Sequence, residues 1–390
     1  MSAPPRTLAV LHLAEPSGPS TDLAAHLGPF AERDALEVVV PGPGRVADSF
    51  RRLAPVAELP YSALTTPRGP ASLARTARRL RNEVGAFRAH LRATRPQVVA
   101  VATTALPAVP IAARLEGVPA LVYAAEVLTG AASERSFPAA AAGRLLLSVN
   151  RRLATKVVAC SEVVARQFGS GIDAETIYPP IEDSYSGGDG AGFRAAHGIG
   201  AEQPCVVIVG NVTRGRGQDL AIRALVRIRE SIPSACCAIV GSPFPRPRDV
   251  EYADELRRLA AGAGVADAVV FAGFCDRIAD AYAAADVVVN PARFPEPFGR
   301  VACEALVAGR PVVAARVGAI PEVLRDGETA LLAPPEDAGA LAAAVVRLLA
   351  DPQRAARIAA EGRRDVLDRF AAERSGAAFR RAVELAATRP

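Results

Sequence analysis

Two glutamates, Glu296 and Glu304, lie eight residues apart in the segment NPARFPEPFGRVACEALVAGRP that starts at Asn290. A β-branched run ends at Asn290, and a loop with three prolines follows. The pattern predicts a helix that opens around Gly299 and runs to about Ala308. Glu296 then falls on the loop and Glu304 in the second helical turn. The first N–H groups of a helix have no intrahelical acceptor and carry partial positive charge, which suits an anion such as a diphosphate. An ionised carboxylate accepts two hydrogen bonds at once, so Glu304 suits a diol such as a ribose, and Glu296 on the rim suits another hydroxylated group. The same carboxylates also read as solvated charges near a helix start, where negative charge is stabilising in any case. Spacing alone leaves both readings open.

The elements that must position these residues form two rounds of strand and helix. In the first half, apolar runs occur at Leu8 to Leu13, Leu36 to Val40, Val98 to Thr103, Ala120 to Tyr123 and Lys156 to Ala159, with helical stretches such as Ala71 to Thr94 and Pro107 to Leu115 between them. The second half repeats the alternation at Cys205 to Gly210, Cys236 to Gly241, Val269 to Ala272, Asp286 to Asn290, Pro311 to Ala315 and Thr329 to Leu332. Continuous apolar strands separated by helices imply parallel sheets covered on both faces, hence an α/β fold of two Rossmann-like doubly wound domains. The polar, glycine-rich IEDSYSGGDGAG at Ile181 to Gly192 marks the boundary. The expected domains are 1–185, 193–368 and a C-terminal helix, 369–390, that crosses back to the first domain. Ligands of such sheets bind at the carboxyl ends of the strands, so two facing domains would line an interdomain cleft.

The segment around Glu296 resembles the E-x7-E motif of the GT-B retaining glycosyltransferases of family 4 (glycosyl transferases group 1), with Pro297-Phe298-Gly299 as its internal turn. The stretch GRPVVAARVGAIPEVLRDGETALLAPPED from Gly309 is similar to that family's next strand, G-x-P-E turn and closing strand. Upstream, VVIVGNVTRGRGQDLAIRAL (206–225) and VVFAGF (269–274) continue the resemblance, which covers the whole second domain. In the first domain it is carried by residues 95–123 and 157–168. The resemblance implies the GT-B architecture and transfer of a sugar from a nucleotide diphosphate sugar to an acceptor, with retention and without a metal. It makes Glu296 a donor-sugar ligand and Glu304 the ribose ligand, and places Pro297, Phe298, Gly299 and Arg300 beside the sugar and diphosphate. The resemblance also places Gly210, Asn211, Arg214 and Arg216 along the donor and makes Arg216 and Glu296 the expected catalytic pair.

The chain departs from the family pattern at two places. Where the family has an Arg directly after the glycine and a Lys before the next, this chain has Asn211 and Arg216. A guanidinium binds phosphate bidentately and keeps its charge, so Arg216 is a sound replacement. Asn211 carries no charge, and Arg214 is the candidate to compensate. In the first domain, Ala125 stands where many relatives have a His before Glu126. Gly18, in the loop Glu15 to Thr21, and Glu126 are the acceptor-side candidates. Gly18 has no side chain to obstruct a close approach, although an ordinary βα turn explains the same loop.

Composition excludes several other classes. The 390 residues are half hydrophobic and 22% charged, with 63 Gly plus Pro, which suits globular domains rather than a fibrous or low-complexity chain. No apolar run reaches the ~20 residues that span a bilayer, and the N-terminus lacks a secretory pattern. The expected location is cytoplasmic. Six cysteines never occur as C-x-x-C and the four histidines never pair at ligand spacing, so no metal and no resident cofactor are expected. A net charge of +5 does not call for nucleic acid. Between Arg68 and Arg95, eight arginines oppose a single acid, Glu83, beside an apolar stripe of Leu73, Ala77, Leu80, Val84, Phe87 and Leu91. This is either a covering helix of the sheet with solvated arginines or a peripheral contact with anionic membrane through the 71–95 helix, at the membrane's inner face. Two other functions share the architecture: a sugar-nucleotide 2-epimerase and a non-catalytic sugar-nucleotide-binding partner.

Overall fold

The computed structural model describes residues 4–14, 18–31, 35–64, 70–128 and 137–388. Glu15 to Ser17 and Arg68 lie outside the described residues. The chain divides into two compact units, Met1–Pro180 with Ala372–Pro390, and Ile181–Ala371. The glycine-rich segment from Ile181 to Gly192 lies within the second unit, because Asp183 receives the Arg363 guanidinium at 2.9 Å and Tyr185 bonds to Glu304.

The first unit holds a parallel sheet of β1 (Thr7–Val10), β2 (Leu36–Val40), β3 (Val56–Glu58), β4 (Val98–Val101), β5 (Ala120–Ala124), β6 (Lys156–Ala159) and β7 (Ala174–Thr176). Their order is β3-β2-β1-β4-β5-β6-β7. Every residue of β1, β4, β5 and β6 is buried, as unbroken apolar runs require when helices cover both faces. The edge strands β3 and β7 are three residues long and largely half-exposed, so no apolar run marks them in the sequence. The helix Ala372–Thr388 packs in this unit against the helix Gly18–Ala31. Phe379 is buried there, with the His26 ring stacked on it at 4.6 Å.

The arginine-rich stretch is the helix Pro70–Thr94. Its 25 residues span about 37 Å, whereas strands of four or five residues span roughly 13–17 Å, so it overhangs the sheet. Phe87 and Leu91 are buried, but Leu73 at the other end of the stripe is 59% exposed. Arg88 and Arg92 both bind Glu116, while Arg75, Arg78 and Arg81 lie exposed on the overhanging half.

The second unit repeats the plan with β8 (Cys205–Val209), β9 (Cys236–Val240), β10 (Val269–Gly273), β11 (Val287–Asn290), β12 (Val312–Ala315) and β13 (Leu331–Ala333). The order β10-β9-β8-β11-β12-β13 reverses direction between β8 and β11. That junction is the topological switch point, where the loops leaving two adjacent strands diverge and open a crevice. Val206, Ile208, Leu225, Ile239, Leu256, Val345 and Leu348 share one buried cluster beneath it. Each such side chain contributes about 1.5–3 kcal/mol on burial, which makes the sheet a stiff platform for its loops. Asp337 and Asp351 cap the helices Ala338–Leu349 and Pro352–Arg369 by accepting from first-turn N–H groups. Among the described residues no helix is long and apolar enough to cross a membrane.

Candidate functional site

The two loops at the switch point of the second unit carry the charged residues singled out above. After β8 the chain runs through Gly210 and Asn211 to a 3₁₀ turn, Arg214–Arg216, and then into the helix Gln218–Ser231. After β11 it runs through Pro291 to Gly299 into the helix Arg300–Val307. Two glycines let these loops close on their neighbours. Gly217 has φ +75°, and a Cβ there would sit 2.2 Å from the Pro291 carbonyl oxygen. Gly318 has φ +54°, and its Cβ would sit 2.2 Å from the Glu296 carbonyl oxygen. That same oxygen accepts the Ala319 N–H at 2.8 Å, so the backbone of Glu296 is held from outside its own loop.

At the centre, Arg216 Nη1 donates to Glu296 Oε1 at 2.5 Å. The Glu296 side chain is 7% exposed and that of Arg216 29%, so the carboxylate is sunk and the guanidinium borders solvent. Arg216 packs over Gly210 and lies 5.0 Å above the Phe294 ring. One helix further on, Glu304 is almost fully engaged. Its Oε1 receives the Tyr185 hydroxyl at 2.9 Å and Arg300 Nε at 2.9 Å, and its Oε2 receives the Tyr282 hydroxyl at 2.8 Å. Burial, and then the Glu304 charge, pushes the Tyr185 hydroxyl up to about 12 and the Tyr282 hydroxyl well above its ordinary value. Both phenols therefore stay protonated donors, and Glu304 is held as an acceptor with little capacity left on its two oxygens.

Arg214 points elsewhere. Arg214 binds the Glu255 carboxylate at 2.6 Å and covers the Tyr252 ring at 5.0 Å. Asn211 is exposed, and its carbonyl accepts from Gln218 Nε2 at 3.1 Å. Phe298 turns its ring inward, 4% exposed and edge-on to Phe370 at 5.1 Å. Gly299 is the N-cap of the following helix, so the first-turn N–H groups begin beside the Arg216–Glu296 pair in sequence. The structure thus brings together Gly210, Arg216 and Glu296 on the two switch-point loops, with Arg300 and Glu304 on the adjoining helix.

The remaining two candidates belong to the first unit. Glu126 follows β5 and is bound by the hydroxyls of Thr103 and Thr104 and by the N–H groups of Thr104 and Ala125. Burial pushes its carboxyl up, against the pull of those donors. Gly18 is the first residue of its helix and exposed, and a Cβ there would meet nothing within 4 Å. Sequence reasoning passes over Tyr185 and Tyr282. The first lies in a segment that reads as a linker, and the second, in IADAYAAAD, reads as one more apolar position of a covering helix.

Two doubly wound parallel-sheet domains of this topology are the GT-B architecture. Over 97% of this chain, the solved Anabaena HepE protein in complex with UDP-glucose superposes with a TM-score of 0.82 at 22% identity, covering 99% of its own chain. WaaG, a glycosyltransferase involved in lipopolysaccharide biosynthesis, does so with a TM-score of 0.70 at 17% identity over 96% of this chain and 99% of its own. Residues 191–365 match the family model of glycosyl transferases group 1. The chain is 36% identical over 205 residues to a D-inositol 3-phosphate glycosyltransferase of Acidothermus cellulolyticus, covering 50% of this chain and 45% of the relative. It is 35% identical over 224 residues to a GDP-mannose-dependent alpha-(1-6)-phosphatidylinositol monomannoside mannosyltransferase of Mycolicibacterium smegmatis, covering 55% and 56%. The chain spans about half the length of the curated relatives it matches. The family model thus matches within the second unit, and the solved neighbours share the GT-B fold.

Proposed function

We propose that this protein is a retaining glycosyltransferase that moves a sugar from a nucleotide diphosphate sugar to an acceptor hydroxyl without a metal ion. The observation that carries the reading is the Arg216–Glu296 pair, a half-exposed guanidinium on a buried carboxylate at the switch point of the second sheet. Glu296 would accept from the sugar hydroxyls, and Arg216 would stabilise the charge that grows on the departing diphosphate. Gly299 and the first N–H groups of its helix add a positive partial charge to the same end. Glu304 would hold the ribose by exchanging a phenolic donor, Tyr185 or Tyr282, for a ribose hydroxyl. No side chain of this cluster is a ready nucleophile toward the anomeric carbon, since Glu296 is already paired. The family resemblance then implies attack by the acceptor on the face the diphosphate leaves, with a phosphate oxygen taking the acceptor proton.

The names of the matched relatives favour an inositol phosphate or phosphoinositide acceptor, with a GDP- or UDP-sugar as donor. Those names are transferases, which sets transfer ahead of 2-epimerisation and of binding alone. Thermal unfolding with UDP-, GDP- and dTDP-sugars tests the donor half. At ~100 times its dissociation constant a ligand adds ~2.7 kcal/mol, a clear upward shift of Tm. Stabilisation by none of the three would sink the reading, as would epimerisation of a bound sugar with no acceptor present. Turnover that a chelator abolishes and a divalent ion restores would overturn the metal-free mechanism.

A further inference from the structure

We propose that Arg293 is a positioning residue that sets the distance between Arg216 and Glu296, and so adjusts the grip on the diphosphate-sugar end of the donor. The proposal rests on the donor reading above. Arg293 stands three residues before Glu296, and its bonds reach the residues on both sides of Arg216. Its N–H donates to the Gly215 carbonyl at 2.8 Å, and Nη1 donates to the Arg214 carbonyl at 3.2 Å. Nη1 and Nη2 clasp the Asp219 carboxylate at 2.5 and 2.7 Å, and Nε reaches Glu336 at 2.7 Å. One planar fork thus ties the loop that carries Glu296 to the turn that carries Arg216, to the first turn of the following helix and to the chain after β13. An ammonium has no such fork and cannot reproduce the set.

The surroundings keep this clasp in place. Asp219 also accepts the Tyr252 hydroxyl at 2.7 Å, and although burial works against it, Arg293 and Tyr252 hold its carboxyl below the usual range. Glu336 has φ +62°, an uncommon conformation for a residue with a Cβ. The Arg293 side chain is 15% exposed and four of its five N–H donors meet protein acceptors, so it acts through Arg216 rather than on a ligand. Two loops that diverge from adjacent strands have no ladder to align them. Without the side-chain clasp, the two loops keep the Arg216–Glu296 bond, the Phe294 ring under Arg216, the Arg293 N–H bond to Gly215 and the backbone contacts at Gly217 and Gly318.

Calorimetry of wild type, Arg293→Ala and Arg293→Lys with UMP, UDP and UDP-glucose, and with GMP, GDP and GDP-mannose, tests this. In the series that binds wild type, Arg293→Ala should lose tenfold or more in affinity for the nucleotide sugar and less than twofold for the monophosphate, which Glu304 holds. In an Arg216→Ala background, the same change should cost less than twofold, because the residue it acts through is gone. If Arg293→Ala does not fold, Arg293→Lys carries the test with the same split at three- to tenfold. Equal loss for monophosphate and nucleotide sugar, or a full loss persisting in the Arg216→Ala background, would overturn the positioning role while leaving the donor reading intact. Failure of wild type to bind all six compounds would refute the donor reading and this role with it.

Discussion

Arg216→Ala removes the cation bonded to Glu296, and two separable losses should follow. The first is chemical. If the guanidinium meets the charge developing on the leaving diphosphate, its loss removes roughly 2–4 kcal/mol of transition-state stabilisation, or roughly 30- to 900-fold in turnover. The second concerns the fold. Breaking a fully buried ion pair costs about 3–5 kcal/mol because a charge is left without a partner. Here the Glu296 side chain is 7% exposed but the Arg216 end is 29% exposed, so water can enter the space vacated. We expect about 1–2 kcal/mol of destabilisation, a drop in Tm of several degrees. The double variant Arg216→Ala/Glu296→Gln has no orphaned charge and should recover most of the stability but none of the turnover. The assay is release of nucleoside diphosphate from whichever nucleotide sugar stabilises the protein, run beside thermal unfolding. Turnover of Arg216→Ala within threefold of wild type would refute the role, as would recovery of turnover together with stability in the double variant.

Other expectations follow from individual residues. Glu304→Ala should weaken nucleoside monophosphate binding by roughly tenfold or more, since a charge-assisted hydrogen bond is worth ~1.5–3 kcal/mol; unchanged affinity by calorimetry would remove Glu304 from the ribose site. Gly318→Ala forces a Cβ against the Glu296 carbonyl oxygen at φ +54°, whereas Gly18→Ala meets open space. The first should lower Tm by several degrees and the second leave it within about a degree, because left-handed backbone costs an L-residue about 1–2 kcal/mol before any clash. Equal Tm values for the two variants would contradict the loop packing. Burial pulls His12 down to about 4, with its Nδ1 buried and without a hydrogen-bond partner. Its neutral form therefore supports the fold fully above pH ~6.5, and that support, up to about 2–3 kcal/mol, is lost as pH falls toward 4. His12→Gln should flatten urea-unfolding stability between those pH values, and an unchanged slope would exclude His12 as its source.

The architecture was largely legible because its signals are local. Strands buried on both faces need unbroken apolar runs, and runs of that kind mark eleven of the thirteen strands. The two without them, β3 and β7, are short, half-exposed edges that tertiary pairing alone makes into strands. One helix start was legible for the same reason: Gly299 stands where the cap belongs. The apolar stripe of the helix Pro70–Thr94 was legible too, but not where it stops packing, which depends on the length of the sheet beneath it.

By itself the sequence determined that a loop and a helix after the fourth strand of the second domain carry two glutamates eight residues apart, with arginines after that domain's first strand. Which arginine meets which glutamate was a tertiary matter. Arg214 and Arg216 sit two apart in a 3₁₀ turn, where about 120° per residue sends them to different sides. One side faces Glu255 and the other Glu296. Likewise Tyr185 reaches Glu304 across 119 residues, and Arg293 reaches Asp219 across 74. Periodicity records which face of an element is buried. The partner of a charge on a loop is chosen only when the sheet brings two distant strand ends side by side.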